Sequence, residues 1–333
     1  MKIAVVGCGA VGSFYGAKLV RAGRDVHFLL RSDYDVVRRN GVSIRSPQGD
    51  FQVRPRCART AAEIGPSDLV LIGLKTTANE VFSELLPPLV DSHTAVLTLQ
   101  NGLGNEEQLA RLFPPEQIMG GLCFVCLNRL EPGLIHHLDH GQVVMGEFQR
   151  WPEPRTHDIA GMFRHAGIPC KVTANLAQTH WEKLVWNIPF NGLGVAAAAG
   201  YEVFAAANQE CGQPVGPPLG PCLTTEQLLA DSRWLELVRE LMLEVIGAAR
   251  ALRLQIHQSL ADKQIERTRT MGAYKASTLI DFERGQPLEL ESLFFEPLRQ
   301  AREAKVLVPR LERLYAVLAR LDQSRSQASM RGA

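Results

Sequence analysis

Lys2-Ile3-Ala4-Val5-Val6-Gly7-Cys8-Gly9-Ala10-Val11-Gly12 opens the chain, and its reading decides the fold. Residues 2–6 form a short apolar run rich in β-branched side chains. The glycine turn follows at once, and a helical pattern then runs through Leu19 and Val20. A buried parallel strand, a glycine turn and a helix, in that order, make the dinucleotide-binding fingerprint. Gly7 permits the tight turn out of the strand. Gly9 lets the backbone approach a pyrophosphate, and Gly12 lets the helix pack close to the sheet. The unpaired N–H groups of the helix start, with the positive end of its dipole, suit phosphate. Cys8, Ala10 and Val11 complete the expected cofactor loop.

The next strand, Asp25 to Leu30, refines the cofactor. An NAD-binding fold usually ends this strand with an acidic residue on the ribose 2′-hydroxyl. Here Leu30 is followed by Arg31 and Ser32. A cation and a hydroxyl suit a 2′-phosphate, which favours NADP(H); the competing reading of Arg31 is a solvated surface charge.

The 333 residues suffice for two domains, and 46% hydrophobic content supplies a substantial core. The formal net charge of +1, without a basic stripe among aromatics, argues against nucleic acid as partner. No apolar run is long enough to span a bilayer, so no membrane partner is expected. The chain starts directly with a strand, without a signal peptide, and its seven cysteines fall at irregular spacing. Both features read as a cytoplasmic protein with reduced thiols. Cys123 and Cys126, three apart in an expected strand, face opposite sides and read as core thiols. His136, His137 and His140 lack a completing ligand set and read as surface and hairpin histidines rather than a metal site.

Further strands are expected at 42–46 and 51–54 around a Pro47-Gln48-Gly49-Asp50 turn. Others are expected at 68–74, 95–99, 118–125, 133–138, 142–146 and 170–173, with a helix over 152–166. Lys75 follows the strand at 68–74, and Gln100-Asn101-Gly102 follows the one at 95–99. Open parallel sheets bind ligands beyond these carboxyl ends. Lys75 is therefore placed for a cofactor phosphate or ribose, and Asn101 for the nicotinamide end or the substrate. A solvated lysine and a plain Asn-Gly turn are the competing readings.

From Asn175 onward helical patterns dominate, at 177–199, 226–254, 258–271 and 310–321. The expected organisation is a dinucleotide-binding domain over 1–174, a helical domain over 175–323 and a frayed tail over 324–333. Residues 212–221 hold three glycines and four prolines and read as an exposed loop. Within the first of these helices, Lys183, Asn187 and Asn191 are spaced i, i+4, i+8 and form one polar stripe among Trp, Leu, Val, Ile and Phe. Such a stripe either faces solvent or, walled by core, offers its amides and ammonium to a small polar substrate. Pro189 is expected to kink the helix there. A third polar cluster comprises Ser277-Thr278 and Leu288-Glu289-Leu290-Glu291, with the last stretch either extended or starting a helix.

With these clusters in order, the chain resembles the ketopantoate reductase family over nearly its whole length. The resemblance rests on Gly7–Gly12, Arg31, Lys75, Gln100-Asn101-Gly102, Trp181-Glu182-Lys183 through Asn191, and Ser277 through Glu289. It implies an α/β chain: an N-terminal Rossmann-type NADP-binding domain followed by an all-α C-terminal domain. By position it implies Lys183 and Glu289 as catalytic residues. Asn101, Asn187, Asn191 and Ser277 match substrate contacts, and Arg31, Lys75, Asn101 and Glu289 match the cofactor side. The implied reaction is NADPH-dependent reduction of 2-dehydropantoate to pantoate. The expected partner is a small-molecule 2-keto acid, with a homodimer as the candidate assembly. Another branched or aromatic 2-keto acid is the alternative substrate, and a non-catalytic NADP-binding sensor the alternative class. Two departures from the family pattern bear on substrate choice: a longer segment at 200–223, and Glu291-Ser292-Leu293-Phe294 in place of Asp-x-Leu-Asn-Gly.

Overall fold

A computed structural model describes residues 1–205 and 220–331. They separate into two compact units, Met1–Thr179 and His180–Ala333. Residues 212–219 of the expected proline- and glycine-rich loop lie outside the described residues.

The first unit is built on a mixed sheet. In chain order its elements are β1 (Lys2–Val6), α1 (Ala10–Arg21), β2 (Asp25–Leu29), α2 (Tyr34–Asn40), β3 (Val42–Arg45), β4 (Phe51–Val53), β5 (Arg56–Ala58), β6 (Leu69–Ile72), β7 (Ala95–Thr98), α3 (Asn105–Ala110), β8 (Ile118–Glu131), β9 (Leu134–Glu147), α4 (Pro154–His165) and β10 (Cys170–Val172). The strand order is β4-β3-β9-β8-β7-β6-β1-β2-β5, with β10 beside β9. From β8 to β5 the neighbours run parallel. Their side chains are apolar on both faces, as a sheet covered on both sides requires. Ile3, Val5, Leu69, Leu71 and Leu97 pack one way, and Ala4, Val6, Val70, Ile72 and Val96 the other. The order reverses at β1, which lies between β2 and β6, and this makes the switch point at which open sheets bind ligands. Val6, Ile72 and Thr98 lie in register, so the loops after β1, β6 and β7 leave the sheet side by side.

The three strands expected within 118–146 are two. The fourteen-residue β8 and β9 form one long hairpin through Pro132-Gly133. His140 and Gly141, both at positive φ, read in sequence as a break between strands. They instead mark a bulge at which the register shifts and pairing resumes. Of the three histidines, His136 is half-buried and His140 exposed, but His137 is only 1% exposed and packs 4.6 Å from the Phe14 ring. Its Nε2 lies 3.0 Å from the His140 carbonyl and its Nδ1 2.8 Å from Ser46 Oγ. A carbonyl only accepts, so Nε2 carries the proton and Nδ1 accepts from the serine hydroxyl.

The second unit is helical. Its helices are α5 (Leu176–Ala196, beginning in the first unit), α6 (Thr225–Ala230), α7 (Ser232–Ala251), α8 (Ser259–Arg269), α9 (Ser277–Glu283), α10 (Glu296–Glu303) and α11 (Pro309–Arg331), with short turns besides. On α7, Leu237, Val238, Leu241, Met242, Val245 and Ile246 recur at helical spacing and are buried. The single helix expected over 226–254 is broken at Asp231, whose extended backbone (ψ 122°) ends α6. Its carboxylate then caps α7, accepting from Arg233 N at 2.9 Å. The tail expected to fray from 324 continues as helix to Arg331. No glycine or proline interrupts it before Gly332, and Arg325 Nη2 donates to the Gln286 carbonyl at 2.7 Å. Among the described residues no helix is long and apolar enough to cross a membrane.

Asn191, late in α5, ties two helices of this unit together. Its Oδ1 accepts from Ser277 Oγ and from Thr278 N, both at 3.1 Å, and so caps the start of α9 from outside. Asn191→Ala should lower stability by about 1 kcal/mol in denaturant unfolding, while Asn191→Asp, which keeps the acceptor, should retain most of it.

Burial holds the His137 imidazole below its ordinary pKa, so the unfolded chain takes up the proton first. The resulting stability is present above about pH 6.5 and is lost as the pH falls through the folded value. Unfolding midpoints measured from about pH 7.5 to about pH 5 should therefore fall less steeply for His137→Asn than for the parent.

Candidate active site

The switch point and the polar face of α5 hold the two groups of candidate residues, one in each unit. At the switch point the backbone is pinned by contacts that admit no side chain. A Cβ on Gly7, which sits at φ +91°, would lie 2.3 Å from Leu74 N, and one on Gly12 would lie 2.2 Å from the Gly7 carbonyl oxygen. A Cβ on Gly9, by contrast, would meet nothing within 4 Å. The space above Gly9 is therefore open, directly over the start of α1. No acidic residue lies in that helix's first turn, and no side chain caps it. Open space over a bare helix N-terminus fits a pyrophosphate. Cys8 is inert by comparison: burial first, then Cys57 and Asp33, push its thiol well above the usual range. Ala10 and Val11 form the first helical turn.

Arg31 is exposed just past β2, and among the described residues its side chain makes no ion pair. Lys75 is exposed three residues beyond β6, at the start of a 3₁₀ turn over Thr76–Val81. Asn101 is half-buried three residues beyond β7.

A chain of amides connects the last two loops. Thr98 Oγ1 donates to Gln100 Oε1 at 2.9 Å, and Gln100 Nε2 donates to Asn79 Oδ1 at 2.7 Å. Asn79 Nδ2 donates to Asn105 Oδ1 at 3.0 Å, and Asn105 Nδ2 to the Asn101 carbonyl at 3.1 Å. Thr98, Gln100 and Asn105 are buried. Buried amides satisfied in series hold the Asn101 turn against the segment after Lys75. Sequence reading placed the two loops together but missed the chain. Three amides within reach of two adjacent strand ends were the available signal.

In the helical unit, α5 runs through Pro189 as one continuous helix, so Lys183, Asn187 and Asn191 keep a common face. Lys183 is half-buried, Asn187 is 6% exposed and Asn191 is 3% exposed. The stripe is not a solvated surface. Trp181, Leu184, Val185 and Ile188 are buried around it. Asn191 and Ser277 are hydrogen-bonded to each other. Among the described residues Asn187 makes no side-chain hydrogen bond, and its amide is not among the fully buried polar atoms, so it stays open to a ligand. Glu289, 6% exposed, precedes a π-helical turn over Glu291–Phe295, so the stretch after it starts a helix rather than a strand. Such turns are rare and cluster at functional sites. Among the described residues no group of three His, Cys, Asp or Glu side chains is arranged to hold a metal ion.

Comparison with known proteins covers nearly the whole chain. Residues 3–150 match the model of the ketopantoate reductase PanE/ApbA family, and residues 219–322 match that of its C-terminal domain. A 2-dehydropantoate 2-reductase from Nostoc sp. is 38% identical over 96% of this chain and 95% of its own length. The crystal structure of a 2-dehydropantoate 2-reductase from Geobacter metallireducens is 44% identical and superposes with a TM-score of 0.86, covering 97% of this chain and all of that one. A second, from Methylococcus capsulatus, is 32% identical with a TM-score of 0.85 and covers 98% of both chains. By its sequence, its two matched domains and its fold, this chain belongs to the ketopantoate reductase family.

Proposed function

We propose that this chain reduces 2-dehydropantoate to pantoate with NADPH. The observation that carries the proposal is the buried polar face of α5, where a half-buried ammonium stands in line with an amide that has no protein partner among the described residues. A small polar substrate would satisfy that amide and engage the ammonium beside it. The glycine turn, from Gly7 through Gly12, would hold the pyrophosphate of the nucleotide, and Arg31 its 2′-phosphate. Lys75 would meet a phosphate or ribose of the nucleotide, and Asn101 and Glu289 would lie on its nicotinamide side. Bound there, the nucleotide supplies the hydride that reduces the ketone carbon.

The protein's own work is placement and charge. As negative charge grows on the ketone oxygen, the Lys183 ammonium donates a hydrogen bond to it and then the proton that makes the hydroxyl. Glu289 orients that ammonium or accepts from the product hydroxyl. Asn101, Asn187, Asn191 and Ser277 hold the carboxylate and the distal hydroxyl. Asn191 already spends its Oδ1 on Ser277 and Thr278, which leaves its amide donor for the substrate.

The direct test is NADPH oxidation by the purified protein with ketopantoate beside a panel of 2-keto acids. Ketopantoate should give the highest kcat/KM; a clear preference for an acid lacking the distal hydroxyl would overturn the substrate. Lys183→Ala should lower kcat by roughly 100-fold or more with little change in Tm. Unaltered turnover in that variant would remove the catalytic role. Arg31→Ala should raise KM for NADPH about tenfold and leave that for NADH nearly unchanged. Equal effects on the two would take Arg31 off the 2′-phosphate.

A further inference from the structure

The loop after β2 carries more charge than Arg31 alone. Asp33 and Asp35 follow within four residues, and either carboxylate left bare would repel a phosphate bound beside Arg31. Each is covered by an arginine from elsewhere in the first unit. Asp35 lies on the surface, bridged by Arg59 Nη2 at 2.8 and 2.9 Å, with the Arg59 guanidinium stacked 4.1 Å from the Tyr34 ring. Asp33 is different. It is 7% exposed, and Arg129 reaches it from β8, 96 residues away in sequence, placing Nη2 2.6 Å from both carboxylate oxygens.

Asp33 also stands at the N-cap of α2, where an aspartate ordinarily accepts from the backbone of the helix's first turn. Here it makes no such bond. Its carboxylate is turned instead to Arg129 and to Ser32, whose Oγ donates to Oδ1 at 3.0 Å. The same carboxylate helps raise the Cys8 thiol, after burial and Cys57, so it stands close to the glycine turn. With both aspartates paired, Arg31 is left as the uncompensated charge of the loop.

We propose that Arg129 determines cofactor selectivity from a distance: by neutralising Asp33 and drawing Ser32 with it, it keeps the loop receptive to a 2′-phosphate. This rests on the reading of Arg31 given above. Arg129 is a positioning residue that touches the loop and not the nucleotide. Without it, Asp33 becomes a bare carboxylate two residues from Arg31. A bare carboxylate repels the phosphate of NADPH and accepts readily from the 2′-hydroxyl of NADH.

The test is equilibrium binding of NADPH and NADH to the full chain, followed by nicotinamide fluorescence and needing no substrate. Arg129→Met should weaken NADPH about tenfold and leave NADH within about twofold of the parent or tighter. The double variant Arg129→Met with Asp33→Asn should return NADPH to within about threefold of the parent, because the repelling charge is gone. Equal weakening of both nucleotides by Arg129→Met, or no recovery in the double variant, would overturn the inference. Asp33→Asn alone, which keeps Arg129, should bind NADPH at least as tightly as the parent; a weaker complex would also overturn it. That variant carries the test if Arg129→Met does not fold. A parent that binds NADH as tightly as NADPH would instead contradict the reading of Arg31 itself. A parent preference for NADPH that survives Arg129→Met contradicts only the role of Arg129.

Discussion

The close approach of α1 to the loop that precedes it governs the first unit. With 2.2 Å between the Gly7 carbonyl oxygen and the place where a Cβ on Gly12 would stand, only glycine lets helix, turn and sheet meet there. Gly7 meets the β6 loop as tightly, at Leu74 N. Three segments are thereby locked at one point, and the bare start of α1 faces open space over Gly9. The ends of β1, β6 and β7 lie in register, so the loops that carry Lys75 and Asn101 leave the sheet beside that point. The amide chain from Thr98 to Asn105 then removes the slack between those loops. Precision here comes from backbone contact and satisfied amides, not from side chains that reach a ligand individually.

The helical unit achieves rigidity by other means. Its polar face is held within a core of Trp, Leu, Val and Ile side chains, and Asn191 both belongs to that face and caps α9. One residue thus serves packing and the candidate site together. Lys183 stands on the same continuous helix, half-buried beside that face.

What was legible in the sequence was local. The strand, turn and helix of residues 2–21, the hairpin turn at 47–50 and the i, i+4, i+8 stripe each announce themselves within one element. The errors arose where a local signal has two meanings. His140-Gly141 serves equally as a strand break or as a bulge, and the long pairing of β8 with β9 decided between them. Asp231 fits a helix interior poorly and a cap well, yet the apolar spacing on either side ran across it. The Gln323–Arg331 stretch has no breaker, and anchoring of Arg325 on a distant turn keeps it helical near its start. Contacts between remote residues were invisible. Nothing in the sequence joins Asn79 to Gln100, or Asp33 to Arg129, because those pairings exist only once the sheet order is known. They also lie beside the residues the motifs pick out, one next to Asn101 and the other two residues from Arg31.

The most direct measurement is a crystal structure of the chain with NADP⁺ and pantoate bound. The account predicts Lys183 Nζ within hydrogen-bond reach, about 3 Å, of the pantoate 2-hydroxyl oxygen, and the pyrophosphate over Gly9. A complex in which that amine points into bulk solvent, or lies beyond about 6 Å from the oxygen with the nucleotide in place, would contradict it.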